Sequence, residues 1–364
     1  MTGKPPVRVA IIGLGWAARH IWLDRFAAHP GYEVAVMVDP DPRARPSVST
    51  DRVRVLDDIA VLDPATVDLA IVAVPNHLHA ATAGLLLARG ITTFVEKPVC
   101  LTSGEASRLA AAERASAAML LAGSAARYRA DVRQLYAALG DVGAVRHVEA
   151  SWVRARGVPG AGGWFTDRRR AGGGALLDLG WHLLDVVGPI LGAATFPYAV
   201  GTMSADFVAR GTAAAAWRRD VVAAAGDVED TARGFLVTDD GVSVALRVSW
   251  ASHEPLDVTR IKVEGSAGTL LLTCTFGFSP NRVDRSLLQL IHDGQTIDVA
   301  LPDEAVGAEY DRQLDELLLS LADPASRGKA VAQADRAIRL IERLYTSAHR
   351  YPVGGHRPLV TSRR

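Results

Sequence analysis

Cysteine is scarce in this 364-residue chain, which carries only Cys100 and Cys274. Their separation suits neither a disulfide framework nor a zinc site, and no cysteine and histidine cluster has the spacing of metal ligands. We therefore expect a reducing, cytoplasmic setting and no metal. An excess of charge is also missing, because 40 basic and 40 acidic residues cancel. Without a net field to attract a polyanion, nucleic acid is not an expected partner.

Long apolar runs are absent as well. No stretch approaches the ~18 uncharged apolar residues of a membrane helix, so no membrane contact is expected. The run at residues 7–12 is too short for the apolar region of a signal peptide. The chain is nevertheless 49% hydrophobic and 22% charged, a composition typical of globular proteins, and its length suits two domains.

A nucleotide-binding pattern stands near the start of the chain. A predicted strand at residues 7–12 leads into the sequence GLGWAA at residues 13–18, and a predicted helix follows. This G-x-G-x-x-A pattern is typical of dinucleotide sites. Gly13 allows the tight turn, Gly15 lets the backbone approach a pyrophosphate, and the small Ala18 lets the helix pack on the strand. The start of the helix presents backbone N–H groups to the phosphates.

An acidic residue follows the second predicted strand. Asp39 comes 24 residues after Gly15, which places it near the ribose hydroxyls of a bound dinucleotide. A carboxylate there accepts hydrogen bonds from the diol and repels a 2′-phosphate, so NAD is expected rather than NADP. Arg43, four residues on, would weaken that preference. The alternative for Asp39 is a turn-forming Asp-Pro pair after a strand.

Predicted strands and helices alternate as far as residue 122, which indicates a parallel, doubly wound sheet. The predicted strands are residues 33–38, 69–74, 91–95 and 119–122, and the predicted helices are 77–89 and 103–118. Ligands of such sheets bind beyond the carboxyl ends of the strands. Two of these ends carry the sequences PNHLH, from Pro75, and EKP, from Glu96, so we expect Asn76, His79 and Lys97 to face the cofactor. Found singly, Glu96 and Lys97 would indicate a surface ion pair, and His79 a solvated helix residue.

A glycine run at residues 172–174 introduces a second group of ionisable residues. Asp178, His182 and Asp185 stand at i, i+4 and i+7, so a helix places them on one face with apolar residues opposite. We expect the glycine run to be flexible and to lead into this helix. An imidazole one turn from a carboxylate can be held in one tautomer and accept a proton, as alcohol oxidation requires. The alternative is an ordinary histidine on a solvated helix face.

Together these motifs resemble the glucose–fructose oxidoreductase, inositol dehydrogenase and MocA family over nearly the whole chain. The resemblance implies an α/β Rossmann domain with a doubly wound parallel sheet at residues 1–124. It also implies an α+β domain at residues 125–350 with a large open, mostly antiparallel sheet. The far side of that sheet is expected to join copies into a homodimer or homotetramer. The C-terminal helix, residues 333–349, is expected to pack back on the first domain.

The resemblance also assigns roles to individual residues. It places Lys97 near the nicotinamide ribose and the substrate, and it gives Asp178 and His182 to substrate binding and proton transfer. The predicted cofactor-binding residues are Gly13, Gly15, Trp16, Ala17, Asp39, Pro75, Asn76, His79, Glu96 and Lys97. The predicted substrate-binding residues are Arg127, Tyr128, Arg154, Trp164, Phe165, Asp178 and His182.

The second half of the chain is compatible with the implied sheet. Segments rich in Val, Ile, Leu, Thr and Trp predict strands at residues 145–152, 234–238, 242–250, 260–264 and 269–275, with helices at 311–322 and 333–349. One loop departs from the family pattern. Relatives commonly carry an asparagine and a proline in the segment matching residues 123–135, where this chain has Ala125, Arg127, Tyr128, Arg129 and Ala130.

The predicted function is an NAD(H)-dependent oxidoreductase. It would transfer a hydride between nicotinamide and a secondary alcohol or ketone of a sugar, cyclitol or aminoglycoside-type pseudosugar. Two alternatives stay open. One is an NAD-dependent glycoside hydrolase on the same scaffold, and the other is a non-catalytic regulator that responds to NAD.

Overall fold

The computed structural model describes residues 5–45, 53–160, 163–215 and 225–350. A six-stranded sheet, in which every neighbouring pair is parallel, forms the first domain. Its strands are β1 (Val7–Ile12), β2 (Tyr32–Val38), β3 (Arg54–Leu56), β4 (Leu69–Val72), β5 (Thr93–Val95) and β6 (Leu120–Ala122). They lie in the order β3-β2-β1-β4-β5-β6, which confirms the predicted doubly wound sheet.

The helices of this domain follow the strands as the alternating pattern predicts. They are α1 (Leu23–Ala28), α2 (His79–Ala88) and α3 (Ser103–Ala115). A π-helical turn, Ala18–Trp22, precedes α1 and buries Ala18 completely, so the third position of the glycine pattern packs in the core. β4 reads LAIV and is buried throughout, as expected of a strand covered on both faces.

An eight-stranded sheet forms the second domain and confirms the open, mostly antiparallel architecture. Its strands are β7 (Val145–Val153), β8 (Tyr198–Ser204), β9 (Thr231–Val237), β10 (Ser243–Ser249), β11 (Val258–Gly265), β12 (Thr269–Cys274), β13 (Leu287–His292) and β14 (Gln295–Val299). Their order is β14-β13-β12-β11-β7-β10-β9-β8, and β7 and β10 are parallel. Three strands of this sheet, β8, β13 and β14, were not predicted from the sequence. β14 is a largely exposed edge strand, QTIDV, so it lacks the alternation that marks a half-buried strand.

The second half of the chain contributes the helices α4 (Ala130–Ala137), α5 (Arg168–Ala171), α6 (Trp181–Leu191), α7 (Asp206–Ala209), α8 (Ala308–Ala322) and α9 (Lys329–Arg350). Two of them, α8 and α9, pack against the first domain. From α8, Leu314 and Leu317 join the core cluster that contains Trp22 and Phe26. α9 contacts α3 and β6 of the first domain and β8 of the second. These contacts bring the carboxyl ends of the first sheet against the second domain.

The most apolar helical stretch lies inside the protein. Arg168–Leu191 has the length and mean hydropathy of a membrane span, but 78% of its apolar window is buried, as in a core helix. A π-helical turn, Leu176–Gly180, leads into α6, which packs against β7, α4 and α9. His182 and Asp185 are buried, and the Asp178 side chain is 10% exposed. The alternative of a solvated helix face is therefore wrong.

Candidate active site

A cavity of about 750 Å³ lies between the two domains, at the carboxyl ends of the first-domain strands. All but two of the predicted site residues line it. They are Gly13, Gly15, Trp16, Ala17, Asp39, Pro75, Asn76, His79, Glu96, Lys97, Arg154, Trp164, Phe165, Asp178 and His182. The exceptions, Arg127 and Tyr128, do not line this cavity. The structure thus brings together residues from both domains that are distant along the chain.

The glycine loop has the shape that a dinucleotide requires. Gly13 has φ +88°, and a Cβ there would lie 2.8 Å from the backbone oxygen of Ala73, so only glycine fits. A Cβ at Gly15 would meet no atom within 4 Å and would instead stand in the cavity. Gly13 therefore serves the turn, whereas Gly15 leaves space for a pyrophosphate against the backbone. The residues present fit a dinucleotide.

Asp39 holds the glycine loop from the next strand. Its Oδ2 accepts a hydrogen bond from the Leu14 N–H at 2.7 Å, and its Oδ1 accepts one from the Asp41 N–H at 2.9 Å. Arg43 was expected to weaken the preference for NAD. Its side chain is exposed and donates a hydrogen bond to Asp41 at 2.9 Å. Its charge is therefore paired within its own turn. The contact of Asp39 with a ribose stays a prediction.

Glu96 and His79 hold the neighbouring strand ends. Glu96 accepts hydrogen bonds from Trp22 Nε1 at 2.7 Å and from the Lys97 N–H at 3.1 Å, and burial raises the pKa of Glu96. The two ring nitrogens of His79 lie 2.7 Å and 2.8 Å from the backbone oxygens of Pro98 and Val74. Both polar atoms of His79 face the protein backbone although the residue lines the cavity, so its contact with the cofactor stays a prediction.

Asn76 and Lys97 connect the first domain with the segment that leads into α6. Asn76 donates through Nδ2 to the Ala171 carbonyl at 3.0 Å, just before the glycine run. Lys97 Nζ donates to Asp178 Oδ1 at 2.5 Å, and Trp250 Nε1 donates to Asp178 Oδ2 at 2.9 Å. Burial is the largest effect on Asp178 and opposes its ionisation, but the charges of Lys97 and Arg154 and the hydrogen bond from Lys97 together outweigh burial, so the pKa of Asp178 lies below its usual value.

His182 is oriented by a residue that sequence analysis missed. Its Nδ1 is in hydrogen-bond contact with the Ser124 hydroxyl, and its ring packs 5.4 Å, centroid to centroid, from Trp152. Burial lowers the pKa of His182 to about 3, and the Lys97 ammonium acts in the same direction. We expected Asp178 to hold the imidazole, but its two oxygens bind Lys97 and Trp250 instead. The imidazole is neutral at neutral pH.

Asp185 stands one turn beyond His182 on α6 and does not line the cavity. Its Oδ1 accepts hydrogen bonds from Arg127 at 2.9 Å and from Gln333 of α9 at 2.6 Å. Burial raises the pKa of Asp185 to about 6 although Arg127 opposes the shift. This ion pair holds the Arg127 guanidinium at Asp185, and neither Arg127 nor Tyr128 lines the cavity, so the structure does not bring these two residues to the predicted substrate site. Asp185 also does not line the cavity beside Asp178 and His182, as the i+7 spacing predicted.

The glycine run serves close packing rather than flexibility. Glu229 Oε1 accepts hydrogen bonds from the N–H groups of Gly174 and Leu176, each at 3.0 Å, and from the Tyr345 hydroxyl at 2.9 Å. A Cβ at Gly174 would overlap the Glu229 carbonyl, and a Cβ at Gly173 would overlap the Tyr345 hydroxyl. At the glycine run, Glu229 and α9 thus hold the start of the π-helical turn that leads into α6.

Two further residues at the site, one that bonds to Asp178 and one that lines the cavity, had no signal in the sequence. Trp250 follows β10, 72 residues beyond the Asp178 to which it donates. Gln313 of α8 is 3% exposed and lines the cavity, so it is placed to contact a ligand there. Among the residues of ranges 5–45, 53–160, 163–215 and 225–350 no group of three or more His, Cys, Asp or Glu residues could hold a metal ion.

A glycine loop that faces a lysine, an aspartate and a histidine across one cavity defines a Rossmann-type dehydrogenase or reductase. The comparisons with known proteins agree. The family model described as "Oxidoreductase family, NAD-binding Rossmann fold" matches residues 7–124, and the GFO/IDH/MocA C-terminal domain matches residues 130–271. The chain belongs to the Gfo/Idh/MocA oxidoreductase family, as the sequence motifs predicted.

Three similar proteins cover part or all of the chain. A putative UDP-kanosamine synthase oxidoreductase subunit of Amycolatopsis mediterranei (strain S699) is 55% identical over 94% of this chain and 96% of its own length. A D-glucoside 3-dehydrogenase of Escherichia coli (strain K12) is 29% identical over 51% of this chain and 54% of its own. The crystal structure of GenD2 from gentamicin A biosynthesis, in complex with NAD, is 25% identical over 95% of both chains with a TM-score of 0.74.

Proposed function

We propose that the chain moves a hydride between NAD and a secondary carbinol of a UDP-linked hexose, with carbon 3 as the reacting position. The observation that carries the proposal is the meeting of Lys97, Asp178 and His182 in the cavity that the glycine loop also lines. The Amycolatopsis relative, named for UDP-kanosamine synthesis, supports a UDP-linked substrate. The E. coli D-glucoside 3-dehydrogenase supports carbon 3.

Arginine and aromatic side chains in the cavity suit an anionic sugar. The Arg154 guanidinium carbon lies 5.0 Å from the centroid of the Trp152 ring. Arg170 lines the same cavity and is exposed to solvent. Guanidinium groups recognise phosphate oxygens, and the flat faces of Trp164 and Phe165 suit a sugar ring or a base. A nucleoside diphosphate sugar would use both kinds of surface.

We call the side of the cavity that contains the glycine loop and Asp39 the nucleotide wall. It would hold the pyrophosphate of NAD at the glycine loop and the ribose at Asp39. When bound, NAD supplies the ring carbon that accepts the hydride. The carboxylate of Asp39 favours NAD over NADP because it would repel a 2′-phosphate.

Proton transfer falls to His182. Because burial lowers its pKa to about 3, the ring is neutral and Nε2 can accept the proton of the sugar hydroxyl. Because His182 is so weak a base, it supplies only part of the driving force for removal of the hydroxyl proton. The Lys97 ammonium stabilises the negative charge that develops on the same oxygen. Asp178 accepts the hydrogen bonds of Lys97 and Trp250 and so keeps the ammonium in place.

The proposal is tested with UDP-glucose, free glucose and myo-inositol, each with NAD, by following the near-ultraviolet absorbance of reduced nicotinamide. We expect UDP-glucose to be oxidised with the highest kcat/KM. UDP-glucose deuterated at carbon 3 should transfer its deuterium to the nicotinamide, whereas deuterium at carbon 4 should stay on the sugar. Transfer from another carbon would reject the assigned position. Preference for a free polyol would reject the UDP-linked substrate.

The same assays distinguish the two alternatives. Release of an aglycone from an aryl glucoside without net formation of reduced nicotinamide would indicate a glycoside hydrolase. Tight NAD binding without turnover of any substrate in the panel would favour a regulator. Either result would contradict the proposed function.

We also propose that the outer face of the second sheet joins two or four copies of the chain. Tyr198, Val200 and Phe235 are exposed there, and Val200 pairs directly with Phe235 across β8 and β9. An exposed patch of large apolar side chains is typical of an interaction site. Light scattering should give the mass of a dimer or tetramer, and Phe235→Glu should reduce it. A monomeric wild-type protein would contradict this prediction.

A further inference from the structure

Ser124 occupies a special place between the two domains. It follows β6, the last strand of the first sheet, and is 1% exposed. Its hydroxyl is in hydrogen-bond contact with His182 Nδ1 and also accepts a hydrogen bond from the Ala126 N–H at 3.4 Å. One serine therefore connects the end of β6 with α6 through His182.

Among the described residues, the hydrogen-bond contact of His182 Nδ1 is a hydroxyl and not a carboxylate. Both oxygens of Asp178 bind Lys97 and Trp250, and Asp185 binds Arg127 and Gln333 through Oδ1. The tautomer of a histidine is set by the partner of the nitrogen that does not react. In this site that partner is the hydroxyl of Ser124.

We propose that Ser124 is the positioning residue that keeps His182 in the tautomer with the proton on Nδ1, so that Nε2 is free to take the substrate proton. The inference rests on the proposed function, because it is proton acceptance at Nε2 that the oxidation requires. Nδ1–H donates to the Ser124 oxygen. During oxidation the sugar O–H bond breaks and an Nε2–H bond forms, while the Nδ1–H proton stays where it is. In ketone reduction the same Nε2–H proton returns to the sugar oxygen.

The contact also explains the choice of a hydroxyl. A carboxylate on Nδ1 would stabilise the imidazolium strongly and raise the basicity of the ring. A neutral serine orients the ring without adding a charge. The negative charge that develops on the sugar oxygen is then stabilised mainly by Lys97, which is held by Asp178. Trp152 packs on the imidazole and limits rotation of the ring.

The kinetic test compares Ser124→Ala, Ser124→Thr and the matched control Ser116→Ala. Ser116 also donates a side-chain hydrogen bond, to the Leu87 carbonyl at 2.6 Å, and does not line the cavity. We expect Ser124→Ala to lower kcat about 10- to 100-fold, because Nδ1 loses its partner. The Kd for NAD should change less than about twofold, since the nucleotide wall is untouched. Ser124→Thr, which keeps the hydroxyl, should recover most of the rate, and Ser116→Ala should match wild type.

The ring nitrogens report the tautomer directly. In ¹⁵N NMR spectra of the wild-type protein, we expect the signals of His182 to show a protonated Nδ1 and an unprotonated Nε2. In Ser124→Ala we expect a mixture of tautomers. An unprotonated Nδ1 in the wild type would overturn the proposal, as would an unchanged kcat in Ser124→Ala. If the wild type proves inactive on every sugar, the proposed function fails, and the NMR spectrum still decides the tautomer.

Discussion

Asp39 on the nucleotide wall, and Asp178 and His182, which form the substrate wall, are held in place by contacts of different range. On the nucleotide wall, Asp39 bonds to Asp41 within its own turn and to Leu14, 25 residues away. On the substrate wall, Asp178 bonds to residues 81 and 72 positions away, and His182 bonds to one 58 positions away. A wall made of contiguous motifs can be recognised from sequence and tolerates local change. A wall assembled from distant segments depends on the whole fold.

The largest effect should come from the substrate wall at His182. His182→Gln removes the proton acceptor, so turnover of the sugar should fall about 10²- to 10⁴-fold. The Kd for NAD, measured by fluorescence titration, should stay within about twofold of wild type because the glycine loop is intact. If kcat changed less than threefold, His182 would have no part in proton transfer and the comparison would lose its main support.

A matched pair of glycines tests the difference in packing between the walls. In Gly174→Ala the new methyl group overlaps the Glu229 carbonyl, so the free energy of unfolding should fall by about 3 kcal/mol or more. In Gly15→Ala the methyl group stands in the cavity and meets no protein atom, so stability should hold while the affinity for NAD falls. Urea denaturation and NAD titration of both variants measure this. Equal loss of stability in both variants would break the comparison.

Asp185 tests the region behind the substrate wall. Burial raises its pKa from 3.8 to about 6, so the folded protein holds this proton more tightly than the unfolded chain does. Its contribution to stability is therefore fully present below pH 3.8 and is lost as the pH rises to about 6, a difference of up to about 3 kcal/mol. Asp185→Asn should remove this pH dependence. The measurement is urea denaturation between pH 4 and pH 7.

The control for that experiment is Asp24→Asn, which changes an exposed aspartate on α1. Its stability should follow the wild-type pH profile. A wild-type protein whose stability rises between pH 4 and pH 6, with a slope that Asp185→Asn removes, would show that the ion pair with Arg127 outweighs burial.

The smallest effect should come from the nucleotide wall at Asp39. Asp39→Asn keeps an oxygen that can accept the Leu14 N–H and removes the charge that would repel a 2′-phosphate. We expect the affinity for NADP to rise about tenfold, a change of about 1.4 kcal/mol, with little change for NAD. Isothermal titration with both dinucleotides checks this. Tight NADP binding by the wild type would refute the assigned role of Asp39.

The sequence predicted the nucleotide side well for a physical reason. The turn at Gly13 and the apolar strands around it depend on backbone conformation and hydrophobic pattern, which neighbouring residues specify. The alternating elements of the first domain and five strands of the second were predicted in the same way. The strands β3, β8, β13 and β14 were not predicted; β3 is only three residues long, and β14 has no buried face.

The sequence by itself determined the family, the two-domain architecture and the three side chains, Lys97, Asp178 and His182, that could carry the chemistry. Only the tertiary structure decided their partners. In the folded chain Asp178 bonds to Lys97 and Trp250, and His182 contacts Ser124. Arg127 forms an ion pair with Asp185. The helical period indicates which residues share a face. It contains no information about which distant segment packs against that face, because burial and ion pairing form only when the chain is folded.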